Sequence, residues 1–351
     1  MLSVFDVFKI ILGIIISVFI IFVVMRFVGS YMDISESGRQ VSLMVNFKKT
    51  VENVYTTGIS TDFELKESEI LGYRPPLIET ESTVIDTSPT PTMLLPGKKL
   101  SVGRIDYDIG WWKFYVIEAL PDTKIIFVVP DASEATWALV GNITKALPST
   151  ENTETKVRFG VGCTNKTVPN FGWEGSKFTD SIIPGVISLK KEFELCENEG
   201  YWNEKGYKLV TITQTPGEED FVVKPGENGI GHVYIKTDDG YSDYIYRNSI
   251  DIAALLLGGQ IFYRYMSGKF LSELDVAASV AQKEYGLLMT NTEMARRCSN
   301  DINDFLTTLS MIRETIPNVR DGQNEELIAE FAGYLSESRA KFRQLESGGC
   351  A

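Results

Sequence analysis

This chain is almost without histidine: His232 is the only one among 351 residues. Metal centres built from two or three imidazoles are therefore excluded, and any Ser–His or Cys–His nucleophile pair has to use His232 itself. Cysteine is nearly as scarce. The four, Cys163, Cys196, Cys298 and Cys350, contain no C-x-x-C pair, which removes zinc-ribbon and thioredoxin-like sites. No run of Lys or Arg interrupts the acidic balance of 34 basic against 47 acidic residues. A net charge of −13 makes nucleic acid and anionic lipid surfaces poor partners. No internal repeat is present. What remains is ordinary globular usage, 44% hydrophobic and 23% charged, enough for one large domain or two medium ones.

The most apolar stretch is "VFKIILGIIISVFIIFVVMRFV", residues 7–28, uncharged from Ile10 to Met25. At 1.5 Å per residue such a helix reaches about 33 Å, so the stretch is expected to span a bilayer as an uncleaved anchor. Met25, Arg26, Phe27 and Tyr31 crowd the place where a signal-peptide cleavage site would need small residues. Lys9 and Arg26 balance the flanks, so the positive-inside rule does not orient it. The Pro/Thr-rich "DTSPTPTMLLP", two Asn-x-Thr sequons at Asn142 and Asn165, and cysteines able to pair point to an extracytoplasmic body on the cell membrane.

Beyond the anchor, Met44, Phe47, Val51 and Val54 recur at spacings of three, four and three, which predicts a stalk helix ending at Gly58. Its apolar stripe is expected to pack on the body, with pairing between copies as the alternative. Extended runs follow: "TDFELK", "KLSVGRIDYD", "WWKFYVIEAL", "TKIIFVVP", "TKVRFGVG", "YKLVTITQ" and "GHVYIKT". The segment holding Pro75, Pro76, Pro89, Pro91 and Pro96 is expected to be irregular. "KIIFVVP", a helical "SEATWALVGNITKALP" capped by Asp131 or Ser133, and "KVRFGVG" predict a βαβ unit. After Ser249 the pattern is helical throughout. The fold class expected is α+β with one N-terminal transmembrane helix, a mixed sheet containing a βαβ unit, and a helical C-terminal region. The divisions are 1–30 anchor, 31–58 stalk, 59–247 mixed α/β domain, 248–346 helical region packed on it, and 347–351 flexible tail.

"GVGCTNKT", residues 160–167, nearly spells a phosphate-binding loop, with Asn165 where the second glycine belongs. Such a loop needs a helix directly after its Lys-Thr, and Pro169 and Gly172 stand there instead. No nucleotide site is expected. "GENGIG" precedes a strand and reads as a hairpin turn, and the acidic turns "DYD" and "TDDGYSD" lack the spacing of a calcium loop. Alternation places at least one of Trp111 and Trp112 in the core. His232 falls on an alternating strand as a structural or surface residue. No catalytic residue, cofactor or metal ligand is expected. Cys163 and Cys196 are the simplest candidate disulfide, Cys298 and Cys350 pair or stay free, and Asn142 and Asn165 are candidate glycan acceptors.

The short anchor, the helix ending "FKKTVENVYTTG", the strand "KIIFVVP" and the cysteine-bearing "CSNDINDFLTTLSMI" resemble, in general plan, uncharacterised single-span cell-surface proteins of some small-genome archaea. That resemblance implies no activity. The expected function is a non-enzymatic structural or binding role in the cell envelope. Its expected partners are the lipid bilayer through residues 7–28 and envelope proteins, or further copies through the stalk. The alternatives are a tethered hydrolase using Asp106 and Asp108, and an inward-facing regulator.

Overall fold

The computed structural model describes residues 20–22, 25–26, 41–64, 72–79, 84–87, 90–130, 133–147, 157–162, 207–214, 217, 219–226, 229–320 and 324–350. The fold is α+β, with mixed sheets and C-terminal helices. Residues 41–57 are helical (α1). The strands are β1 (Thr61–Glu64), β2 (Gly72–Arg74), β3 (Leu77–Glu79), β4 (Val84–Asp86), β5 (Thr92–Leu94), β6 (Lys99–Asp108), β7 (Lys113–Leu120), β8 (Thr123–Val128), β9 (Val157–Gly162), β10 (Tyr207–Ile212), β11 (Phe221–Pro225), β12 (Gly231–Thr237) and β13 (Gly240–Tyr246). Helix α2 (Glu134–Lys145) lies between β8 and β9, and α3 (Ser249–Leu288), α4 (Thr292–Val319) and α5 (Glu325–Gly348) close the chain.

Within residues 7–28, only Ile20–Phe22, Met25 and Arg26 are described, and these are helical. No helix among the described residues is long and apolar enough to cross a membrane. That finding overturns the expected bilayer-spanning helix and the single-pass membrane placement built on it. A span needs about twenty consecutive apolar helical residues, and the described part of this stretch supplies only Ile20–Phe22, Met25 and Arg26.

Helix α1 shows what its stripe is for. Met44, Phe47, Val51 and Val54 are at most 1% exposed and pack on Leu94, Leu100, Val102, Ile117 and Ala119. Those residues belong to the four-stranded sheet β1-β6-β7-β5, in which only β5 and β7 run parallel. The other face of that sheet, through Phe114, Val116 and Leu120, enters the main core. Glu118 shares this inner face, opposite Gly103 on β6 and Met93 on β5. It is fully buried, both carboxylate oxygens lack a hydrogen-bond partner among the described residues, and burial holds its carboxyl well above the usual carboxylate range.

The six-stranded sheet has the order β13-β12-β11-β10-β8-β9. Strands β11, β10, β8 and β9 are parallel, while β12 and β13 add antiparallel at one side. The βαβ unit is present: β8 pairs parallel with β9, and Ser133 caps α2 by accepting from the Thr136 amide. The proline-bearing segment is more ordered than its composition suggests. It yields β5 and the three-stranded sheet β2-β3-β4, with a cis Pro75–Pro76 bond in the β2–β3 turn.

Asparagines start all three long helices: Asn248, Asn291 and Asn324 each accept from first-turn amides. The apolar opening of α3, Ile250 to Leu257, is buried throughout. Gly259 then breaks the helix with φ 62° and ψ −151°, a conformation essentially reserved for glycine. Beyond the kink α3 runs on to Leu288. Trp111 and Trp112 lie in the β6–β7 turn rather than on the strand, and both dock onto helices. Trp111 donates Nε1–H to Ser338 Oγ at 3.0 Å, and Trp112 lies 5.5 Å from the Phe270 ring. Cys298 and Cys350 form a disulfide that ties α4 to the end of α5. Cys350, placed by sequence in a flexible tail, is 2% exposed.

Candidate functional site

Strand β13 begins at the tight Asp238–Asp239 turn, where Thr237 Oγ1 donates to the Gly240 carbonyl. It is the edge strand of its sheet among the described residues. Its two faces differ. Asp243 shares a face with His232 and Tyr234 of β12, and Tyr244 and Tyr246 lie on the other, which enters the core. Across the edge lies the part of α3 beyond the kink. Tyr263 stacks edge-on against Tyr244 with ring centres 5.7 Å apart, and its hydroxyl donates to the Ile245 carbonyl at 2.7 Å. Burial pushes that hydroxyl up to about 12, so it stays a donor at any ordinary pH.

Between β13 and α3 an open groove of about 1080 Å³ remains, walled by Ser242, Asp243 and Tyr244 on one side and by α3 from Gln260 to Ser272 on the other. Its charge is uneven. Arg264 and Arg320 line it, both exposed and without an ion-pair partner among the described residues, and Lys269 lies 5.9 Å from the Tyr265 ring centre. Asp243 is the sole carboxylate among the described lining residues. It is drawn to His232, whose Nδ1 lies 2.9 Å from Oδ1. The groove therefore carries surplus positive charge on a protein of net charge −13.

The residues singled out from sequence fall elsewhere or play structural parts. His232 is a clamp. Its Nδ1 meets Asp243, its Nε2 lies 3.5 Å from Glu325 at the start of α5, and its ring stacks on Tyr234. No Ser or Cys side chain hydrogen-bonds to it among the described residues. Asp106 and Asp108 do not act as a pair. Asp106 is held by Arg104 at 2.8 Å, whereas Asp108 takes Lys113 at 3.1 Å and the Gly110 amide at 2.6 Å. Burial alone would raise the Asp108 carboxyl, but the Gly110 and Lys113 hydrogen bonds outweigh it and hold it low. Asn142 is exposed, on α2 rather than on a loop. Cys163, Cys196 and Asn165 lie outside the described residues, as do residues 163–167 of the phosphate-loop look-alike. "GENGIG" does join two antiparallel strands, and a Cβ at Gly231 would come within 2.3 Å of the Lys224 carbonyl oxygen.

A second cleft of about 700 Å³ opens between α2, β6 and the start of α3, with Asp106, Lys145, Arg247 and Arg339 in its wall. Its two most promising charges are already engaged, Asp106 by Arg104 and Arg247 by Asp251. No group of three His, Cys, Asp or Glu residues able to hold a metal occurs among the described residues.

Sequence reasoning missed the groove because its parts lie far apart along the chain. The signals present were the Asp239-Gly240 dipeptide, a common hairpin turn, and the alternating tyrosines after it, which mark β13 as a strand. No protein family model matches the chain, and no curated protein or solved structure matches it.

Proposed function

We propose that this chain is a non-enzymatic binding protein, and that it recognises a segment of a partner protein in the groove between β13 and α3. The observation that carries this reading is the meeting, among the described residues, of an edge strand, an open trough and two arginines without carboxylate partners. Neither arginine is spent on a carboxylate of its own chain among the described residues, so both can meet a ligand's charge. The reading gains further support from chemistry that is committed to structure: Asp106, Asp108 and Asp251 are each held by an ion pair, and the His232 ring is held against Asp243.

The test is selection from a displayed library of random octapeptides on the full chain, repeated on the Arg264→Glu/Arg320→Glu variant. The expected result is a peptide family enriched on the wild type and lost on the variant. Charge reversal at Lys236, away from the groove, should leave that family unchanged. Peptides that bind the double variant as well as the wild type would sink the reading.

A further inference from the structure

We infer that the occupant of this groove is an extended acidic segment that adds to β13 as a seventh strand. The inference rests on the binding reading above and specifies how the partner is held.

The ladder fixes which backbone groups of β13 face outward. The Lys236 amide donates to the Asp220 carbonyl, so Lys236 turns its backbone toward β11. In an antiparallel ladder the direction alternates residue by residue. Lys236, Tyr234 and His232 thus face β11, and their partners Tyr241, Asp243 and Ile245 turn their N–H and C=O away from β12. Two contacts farther along agree with this parity. The Ile245 carbonyl accepts from the Tyr263 hydroxyl, and the Arg247 amide donates to Asp251 Oδ2 at 3.0 Å. Helix α3 therefore satisfies the outer edge at the Ile245 carbonyl and the Arg247 amide. It stops short of Asp243, whose outward N–H and C=O have no partner among the described residues.

The groove begins at that point. Buried backbone groups are nearly always paired, and an exposed edge is a template for another strand. The α3 wall from Gln260 to Ser272 is about 18 Å long, the length of five or six extended residues. The side chains select the partner's charge. A strand seated there runs past Arg264 and Arg320, so carboxylates at alternate positions meet cations. Basic segments meet the same cations unfavourably. Main-chain hydrogen bonds give the affinity and the flanking arginines give the preference, as in other strand-addition complexes.

The probe is a fluorescein-labelled octapeptide of alternating Val and Glu, titrated into the full chain by fluorescence anisotropy. Two further versions carry N-methyl groups on one or the other alternate set of residues. Only one set faces β13, so one version should lose at least about tenfold in affinity and the other should stay within about twofold. Binding should also slow hydrogen exchange at the Asp243 amide. In the protein, Asp243→Ala keeps that amide and should keep binding, whereas Asp243→Pro removes an N–H that β12 does not use and should lose about tenfold. An unchanged melting temperature shows that Asp243→Pro still folds, and the methylated peptides test the same bond without touching the protein.

Equal affinity of both methylated versions, or unchanged exchange at Asp243, overturns strand addition. If Arg264→Glu/Arg320→Glu still abolishes binding in that case, the groove reading stands. Failure of the Val–Glu peptide to bind, while selected library peptides do, overturns the acidic extended occupant alone. Binding indifferent to the arginines sinks both.

Discussion

Arg247 and Asp251 meet as a two-pronged ion pair at the mouth of α3, Nε to Oδ2 at 2.9 Å and Nη2 to Oδ1 at 3.1 Å, with both side chains at most 4% exposed. The Arg247 amide adds a third bond to the same carboxylate. The pair pins the end of β13 to the first turn of α3. Arg247→Met should leave Asp251 buried without its cation and cost about 3–5 kcal/mol. The double variant Arg247→Met/Asp251→Leu should recover most of that loss. Urea unfolding midpoints of the two variants check it, and a single variant as stable as the wild type would contradict the burial described.

Glu118 makes an opposite contribution. Its folded-state pKa is raised, so the native state holds a proton that the unfolded chain releases above its ordinary value of 4.5. Stability is therefore lost as pH rises from there toward the folded value, at up to about 1.4 kcal/mol per pH unit. Glu118→Gln removes the titration. The variant should be more stable than the wild type at pH 7, with the difference shrinking toward pH 4. Melting curves across that range measure it, and a constant difference would refute the role given to burial.

The Cys298–Cys350 bond closes a loop of 52 residues. On the chain-entropy account, a loop of this size stabilises by up to about 4 kcal/mol. Cys350→Ser should lower the melting temperature and free the last turn of α5, where the Arg297 guanidinium also donates to the Gly348 carbonyl. Faster hydrogen exchange confined at first to residues near 345–350 is the expected signature.

Gly259→Ala tests the kink. No atom lies within 4 Å of where its Cβ would stand, so space is not at issue and the backbone conformation alone resists. The expected loss is about 1–3 kcal/mol. Peptide affinity should fall with it if α3 relaxes toward a straight helix.

Much of the architecture was legible because its signals are local. The α1 stripe at Met44, Phe47, Val51 and Val54 follows from 3.6-residue periodicity, and β6 ends where its predicted run ends, at Lys99 and Asp108. Ser133 was readable as a cap. Strands β2 and β3 were not, because three-residue strands hold together only by pairing with one another, here across the Pro75–Pro76 turn. Strand β13 was obscured by Asp239 and Asp243, which made an edge strand look like an acidic loop. The break at Gly259 passed for a helix interior, since a glycine declares no angle. The groove lay furthest from view: Asp243, Arg264 and Arg320 meet only once α3 has turned at the kink.

That turn also makes α3 a lever. Its first segment is sealed in the core from Ile250 to Leu257, and its second forms one wall of the groove, with Gly259 as the joint between them. Ser272 stands about 20 Å beyond Gly259, so each degree of rotation at the joint moves that end of the wall by about 0.3 Å. Four residues past the joint, the Tyr263 hydroxyl on the Ile245 carbonyl ties that wall to β13.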